Sequence, residues 1–449
     1  MISQSRCPRA PRAQTLPAPF LLLLALLTTS PAAAEMCTLD VVPAATLLVP
    51  YFEASLDETN RSTVLLLQNS SPDPALVNLT LWTDWAQPTI SINIFLTGFD
   101  RIGYDLKRLF TVGELPITAD ADRDPADTIS PHGDHPERDG SFPDCDLILP
   151  FDPPNLSDRL LEYIRNAHTG RPSDFLQGAC AGADRGDGIA RGYVTIDNVN
   201  RCTVQMPQEP GYFAEVDPVA SDVNQLYGDF FFLRGEISGG RSLGSPMVHL
   251  EADPGFSGVE DSGLTFYGSF TGGLDHREPL GGVWDVPFEF GAAENLTSEW
   301  IVWRDPTHSA VPRSYACESG PDWAPLPTPP ITCWNHQEDV EETCLDGDCF
   351  PLATERRAFG LGGVATSFDQ GYCRVGLSAP DADIANDVDF PGDTVQSWMG
   401  AIRQTDLAQG GFMALQLEDA GELVREANSR LFEDDFESGT LGAWASSTP

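Results

Sequence analysis

Val77-Asn-Leu-Thr-Leu81 and Ile90-Ser-Ile-Asn-Ile-Phe-Leu96 decide the fold class. In both, apolar residues recur at every second position, the period at which side chains alternate between the two faces of a strand. The connection between them, Thr83 to Thr89, is short, so the pair reads as two half-buried strands. Upstream, Ala45 to Phe52 and Ser62 to Gln68 are continuous apolar runs rich in Leu and Val, the pattern of strands covered on both faces. Downstream, Tyr193 to Val199, Phe230 to Leu233, Leu264 to Phe270 with Phe266 inward, Trp300 to Trp303, Gly371 to Leu377 and Met413 to Leu417 repeat the theme, each bounded by Gly, Pro, Asn or Asp.

The chain is therefore expected to be all-β, with β-sandwich regions of the Ig-like or jelly-roll-like kind. One segment departs from the pattern. Leu156, Leu160, Leu161 and Ile164 recur at helical spacing, with Asn155 placed to cap the start and Gly170 to follow the end. A helix that short must pack against a sheet or be tied down, and a Cys145 to Cys180 bridge closing the insertion would do the latter. Between the first strands and this helix, Ala119 to Asp146 is rich in acids and prolines and nearly devoid of apolar residues, as a long loop is.

Residues 1–34 read as an address. Arg6, Arg9 and Arg12 precede an apolar core from Phe20 to Leu27, and Ala32-Ala33-Ala34 supplies a small-residue cleavage site. That core is far short of the roughly 18 residues a spanning helix needs, and no later run reaches that length. With 449 residues, 41% apolar and 21% charged, the chain exceeds what one core usually organises. The expected organisation is a signal peptide at 1–34, an N-terminal β-sandwich at 35–118 and an acidic Pro/Gly-rich loop with the short helix at 119–188. A second, larger β region at 189–431 and a C-terminal tail at 432–449 follow.

A formal charge of −41, from 67 acidic and 26 basic residues, repels phosphate backbones and anionic headgroups, so nucleic acid is excluded as a partner. Without Cys7, nine cysteines remain, and they cannot all pair within one chain. Export makes disulfides the default, and close spacing points to Cys344 with Cys349 as well as Cys145 with Cys180.

A resemblance accompanies these readings. Ala45-Thr-Leu-Leu-Val-Pro-Tyr-Phe52, Leu81-Trp-Thr-Asp-Trp85, Phe95-Leu-Thr-Gly-Phe-Asp100, Ala167-His-Thr-Gly170, Arg191-Gly-Tyr-Val-Thr-Ile-Asp197, Val248-His-Leu-Glu-Ala252, Thr265-Phe-Tyr-Gly268, Arg277-Glu-Pro279 and Val302-Trp-Arg-Asp305 resemble a family of secreted, β-rich bacterial proteins without an assigned function. The resemblance spans roughly residues 40 to 310 and brings no catalytic or ligand residue with it. Phe436-Glu-Ser-Gly439 with Trp444 resembles a short C-terminal tail of exported bacterial proteins.

Candidate chemistry is sparse. Gly240-Arg-Ser-Leu-Gly244 has the spacing of a nucleophile elbow, but it is followed by the strand-like Met247 to Leu250, and a β-turn accounts for it; His249 and His276 are then structural. Cys333, His336, Cys344 and Cys349 form a zinc-type donor set, for which disulfides compete. Asp120, Asp122, Asp124 and Asp127 point several carboxylates to one side of an extended loop, as calcium requires, and Asp381, Asp383, Asn386, Asp387 and Asp389 do the same. Neither loop is an EF-hand, and no cofactor other than such a calcium ion is expected. Trp82 with Trp85, or Trp300 with Trp303, would offer stacking platforms for sugars if exposed, although tryptophan in sandwiches is mostly core. The expected function is an exported, non-enzymatic β-sandwich protein that contacts an envelope protein or a polymer surface in the periplasm or outside the cell. A secreted hydrolase acting on carbohydrate is the alternative.

Overall fold

A computed structural model of the chain describes residues 42–57, 61–116, 155–234, 241–254, 265–271, 274–290, 296–306, 315–321, 328–345, 349–359, 366–377, 396–405 and 413–416. The fold is all-β, built from antiparallel sheets in two layered pairs. The first pair uses β1 (Thr46–Ser55), β2 (Arg61–Asn69), β3 (Ala75–Trp82), β4 (Pro88–Leu96), β5 (Arg101–Asp105), β6 (Ile189–Asn198), β7 (Leu226–Arg234), β8 (Arg241–Pro246) and β9 (Val248–Leu250). One sheet runs β4-β3-β6-β1-β9 and faces the other, β5-β2-β7-β8, with β1 packed on β2 and β7.

The second pair uses β10 (Val283–Glu289), β11 (Leu296–Arg304), β12 (Ile331–Asn335), β13 (Val340–Thr343), β14 (Thr354–Phe359), β15 (Gln370–Gly376), β16 (Ser397–Thr405) and β17 (Met413–Gln416). Its sheets are β10-β15-β12-β13 and β14-β11-β16-β17, and β10 packs on β16 and β11 between them. The two sandwiches share one contiguous core: Trp303 of β11 meets the Tyr193 ring of β6 edge-on at 5.9 Å and stacks on Phe266 at 5.5 Å. The Thr354 hydroxyl donates to the Pro50 carbonyl at 2.6 Å across the same boundary.

The expected division at 118 and 189 does not follow the sheets. The strands at 189–250 pair with those at 46–105, so the first sandwich is assembled from both sides of the acidic loop. β3 and β4 are also almost wholly buried rather than half-buried. Their polar face is satisfied internally: the Asn78 amide donates to the Ser91 hydroxyl at 2.5 Å, and Asn93 exchanges bonds of 2.7 and 3.0 Å with the backbone of Thr203. Buried amides bonded this way avoid the cost of desolvation. β1 is buried at every position, as its continuous run implies, whereas β2 alternates, with Val64, Leu66 and Gln68 partly exposed.

Short helices accompany the sheets among the described residues. α1 (Leu106–Val112) went unread in the sequence; the Asp105 carboxylate caps it by accepting from Lys107 N at 2.9 Å, and Gly113, at φ 71°, ends it. α2 (Asp158–Thr169) is the expected helix, but Ser157 caps it, while Asn155 pairs in a bridge with Glu114. The segment read as a strand at Leu264 to Phe270 instead holds a turn and the single-turn α3 (Gly268–Thr271). The Asp275 carboxylate bends it by accepting from the Thr265 and Thr271 hydroxyls and from Tyr267 N.

Candidate functional site

The cysteines settle first. Cys344 pairs with Cys349, as their spacing implies. Cys180 is bridged to Cys317, 137 residues away, which corrects the expected Cys145 to Cys180 closure. The extended chains at Cys180 and Tyr315 pair in a two-way backbone bridge of 2.9 and 2.8 Å, and this brings the loop carrying Cys317 to Cys180. Cys145 itself lies outside the described residues. Cys333 pairs with Cys373, so three sulfurs of the zinc-type set are spent in disulfides. Cys202 is bonded too, and no cysteine among the described residues is free. The calcium candidates Asp120, Asp122, Asp124 and Asp127, and the second set from Asp381 to Asp389, lie outside the described residues. Among the described residues no three acidic, His or Cys side chains are grouped to hold a metal ion.

Ser242 sits within β8, paired in register with Leu233, and not at a strand-to-helix elbow. His249 bonds the Val42 carbonyl at 2.6 Å, and His276 bonds Asp222 at 2.8 Å. Both are structural, as read.

The strongly perturbed ionisable groups lie inside the fold. Asp84, in the β3–β4 turn, accepts from Ala183 N at 2.9 Å with Arg185 4.0 Å away, and burial pushes its carboxyl up to about 6. Gly182 passes between Asp84 and the end of α2, where a Cβ would lie 2.5 Å from the Ala167 carbonyl oxygen. His168 donates from Nδ1 to the Arg191 carbonyl, leaving Nε2 to accept from Thr89, both at 2.8 Å. Its ring lies against Phe52 and Phe110, and burial lowers its pKa to about 4.

These two shifts act in opposite directions on stability. A carboxyl raised from 3.8 to about 6 contributes stability that is fully present below 3.8 and lost as pH rises through 6. An imidazole lowered from 6.5 to about 4 costs stability as pH falls from 6.5 to 4, because the unfolded chain takes up a proton that the folded one refuses. Each is worth about 3 kcal/mol, so the pair nearly cancels between pH 4 and 6.5. Relative to the parent protein, Asp84→Asn is expected to lose about 3 kcal/mol on acidification through this window and His168→Gln to gain about as much. Denaturant midpoints at pH 7 and pH 4 check both, and pH-independent differences would contradict the assignment.

Two further buried carboxylates, Asp197 and Glu53, are sealed by their partners. Asp197 accepts from the Thr46 hydroxyl at 2.6 Å, Tyr212 at 2.9 Å and Tyr267 at 3.1 Å. Glu53 receives Arg234 at 2.8 and 3.1 Å. Asp84, His168, Asp197, Tyr267 and Arg277 all belong to the stretches quoted for the family resemblance, and in this fold they hold elements together.

One solvent-facing patch among the described residues is aromatic. Trp82, Trp85, Trp300 and Trp303 are buried, which removes them as stacking platforms. Two rings that reach the surface beside each other are Trp334 on β12 and Tyr372 on β15, stacked at 5.1 Å and 17°, with Tyr372 44% exposed. Register puts Tyr372, Trp334 and the 60% exposed Val340 in one row across β15-β12-β13. The next row on that face holds Asp285, Arg374, Thr332 and Glu342, and Arg374 donates to Asp285 at 3.0 and 2.9 Å. Beyond Trp334, the Asn335–Val340 turn exposes His336, Glu338 and Asp339.

The backbone fixes this ring pair. Cys333 and Cys373, the inward neighbours of Trp334 and Tyr372, are paired in register and bridged. Gly371 lets the strands approach, since a Cβ there would strike the Trp334 carbonyl oxygen. A surface whose spacing is held covalently loses little entropy when it binds. Comparison of the chain with protein-family models, with curated proteins and with solved structures finds no match in any of the three.

Proposed function

We propose that this chain is an exported, disulfide-braced protein that binds an envelope protein or polymer surface without catalysing a reaction. The observation that carries this reading is the Trp334–Tyr372 pair, a partly exposed aromatic surface on two strands cross-linked directly beneath it. Aromatic side chains present large, rigid contact area at small entropic cost, which makes them frequent anchors of binding surfaces. The buried acids support the same reading, because Asp197, Glu53 and Asp275 spend their oxygens on hydroxyls, arginines and backbone N–H groups of the chain itself.

Export is supported by the leader-like residues 1–34 and by the three bridges, which persist in oxidising compartments. Among the described residues no helix is long and apolar enough to cross a membrane. A glycan array, an envelope-protein capture assay and a hydrolase panel on the secreted protein test the reading together. Binding without turnover is the expected result, and turnover of any panel substrate would overturn it.

A further inference from the structure

We infer that the occupant of the outer face of β10-β15-β12-β13 is a basic segment of a partner protein, its Lys or Arg side chains set against Trp334 and Tyr372. The inference rests on the binding reading above and specifies the partner's chemistry. Three observations carry it.

First, a cation is attracted to the electron-rich face of an aromatic ring, and Trp offers the strongest such site. Second, the charges around the rings are acidic in excess. Arg374 is engaged by Asp285, while Glu342, Glu338 and Asp339 are exposed beside Trp334 and Val340. Third, five arginines of the described residues are spent within the fold. Arg277 and Arg304 are fully buried on internal acceptors, Arg234 and Arg356 are paired with Glu53 and Glu299, and Arg191 is paired with Asp187. The field outside a chain of charge −41 is therefore negative and draws cationic partners to this face. A neutral glycan would stack on the rings but leave the acids unused, and an anionic polymer would be repelled.

The test uses the full secreted chain with its disulfides intact and an octa-arginine peptide as probe, titrated calorimetrically at physiological salt, with maltohexaose and cellohexaose alongside. Peptide binding is expected, weakened about tenfold or more by Trp334→Ala and by Glu342→Lys. Glu215→Lys makes the same charge change on an exposed residue of the first sandwich and is expected to weaken binding less than about twofold. Glu342 is an exposed edge-strand side chain, so its variant reports on the face even if Trp334→Ala disturbs folding.

Equal effects of Glu342→Lys and Glu215→Lys, with none from Trp334→Ala, would mean diffuse attraction and overturn the inference. So would absence of peptide binding, or glycan binding that depends on Trp334; both leave the binding reading standing. Turnover in the hydrolase panel fails that reading instead, so the two failures are distinguishable.

Discussion

Truncating Glu53 to alanine is expected to destabilise the protein by about 3 to 5 kcal/mol, the range for breaking a buried ion pair from one side. Glu53 is 1% exposed on β1 and joins both sandwiches. Arg234 of β7 grips its two oxygens at 2.8 and 3.1 Å, and Arg356 of β14 stands 3.5 Å away. Arg356 also donates to Glu299 of β11 at 2.6 Å and lies over the Phe232 ring at 5.6 Å. Burial pushes the Glu53 carboxyl up, but Arg356 and Arg234 more than offset this and hold it below the ordinary carboxylate range. Without it, Arg234 loses its hydrogen-bonded carboxylate and keeps only the more distant Glu299, which Arg356 also pairs with, at the seam between the sandwiches. Denaturant unfolding followed by tryptophan fluorescence measures the loss. Truncating the half-exposed Asp285, paired with the exposed Arg374, is the control and is expected to cost no more than about 1 kcal/mol. A Glu53→Ala effect as small as the control's would show that the network contributes nothing.

Arg277→Ala is expected to be at least as damaging, and more so at pH 8 than at pH 5. Arg277 has no exposed surface; it donates to Thr46 at 2.9 Å, Asp222 at 3.0 Å and the Asp275 and Ser221 carbonyls at 2.5 and 2.8 Å, and covers the Phe213 ring at 5.0 Å. Its removal orphans several buried acceptors, each worth about 1 to 3 kcal/mol. It also strips Asp197 of its nearby cation. Burial already raises the Asp197 carboxyl, and Arg277 is the first influence holding it down. In the variant that pKa climbs further, so the folded state is favoured by the proton and penalised as pH rises through the raised value. Melting curves of parent and variant at both pH values check this. A deficit independent of pH would show that Arg277 does not control the charge on Asp197.

The sequence was a better guide to elements than to their environment. The alternation in β3 and β4 marks them as strands, yet says nothing of burial, because Asn93 finds its partner at Thr203, 110 residues on. The repeat from Leu160 to Ile164 marks α2, but the choice between Asn155 and Ser157 as cap depends on where the chain leaves its bridge with Glu114. α1 offered Leu106, Leu109 and Phe110 between Asp105 and Gly113, a signal too short to stand against strand-rich surroundings. A bridge over five residues, Cys344 to Cys349, is legible from spacing, whereas one over 137 is set by the packing of distant loops.

The aromatic face illustrates the same limit. Gln370-Gly-Tyr-Cys-Arg-Val-Gly376 alternates outward Tyr372 and Arg374 with inward Cys373 and Val375, a readable period. That Trp334 stands beside Tyr372 follows only from the register of β12 against β15. In the sequence Trp334 stands two residues before His336 with nothing to link it to Tyr372, since proximity across a sheet leaves no mark along the chain.

Disulfide mapping of the protein isolated from its native cells, by peptide mass under non-reducing conditions, tests most directly whether an oxidised pair of sandwiches sharing one core is the native state. The account predicts peptides linking Cys180 to Cys317, Cys333 to Cys373 and Cys344 to Cys349. Free thiols at these six positions, or a peptide joining Cys145 to Cys180, would contradict it.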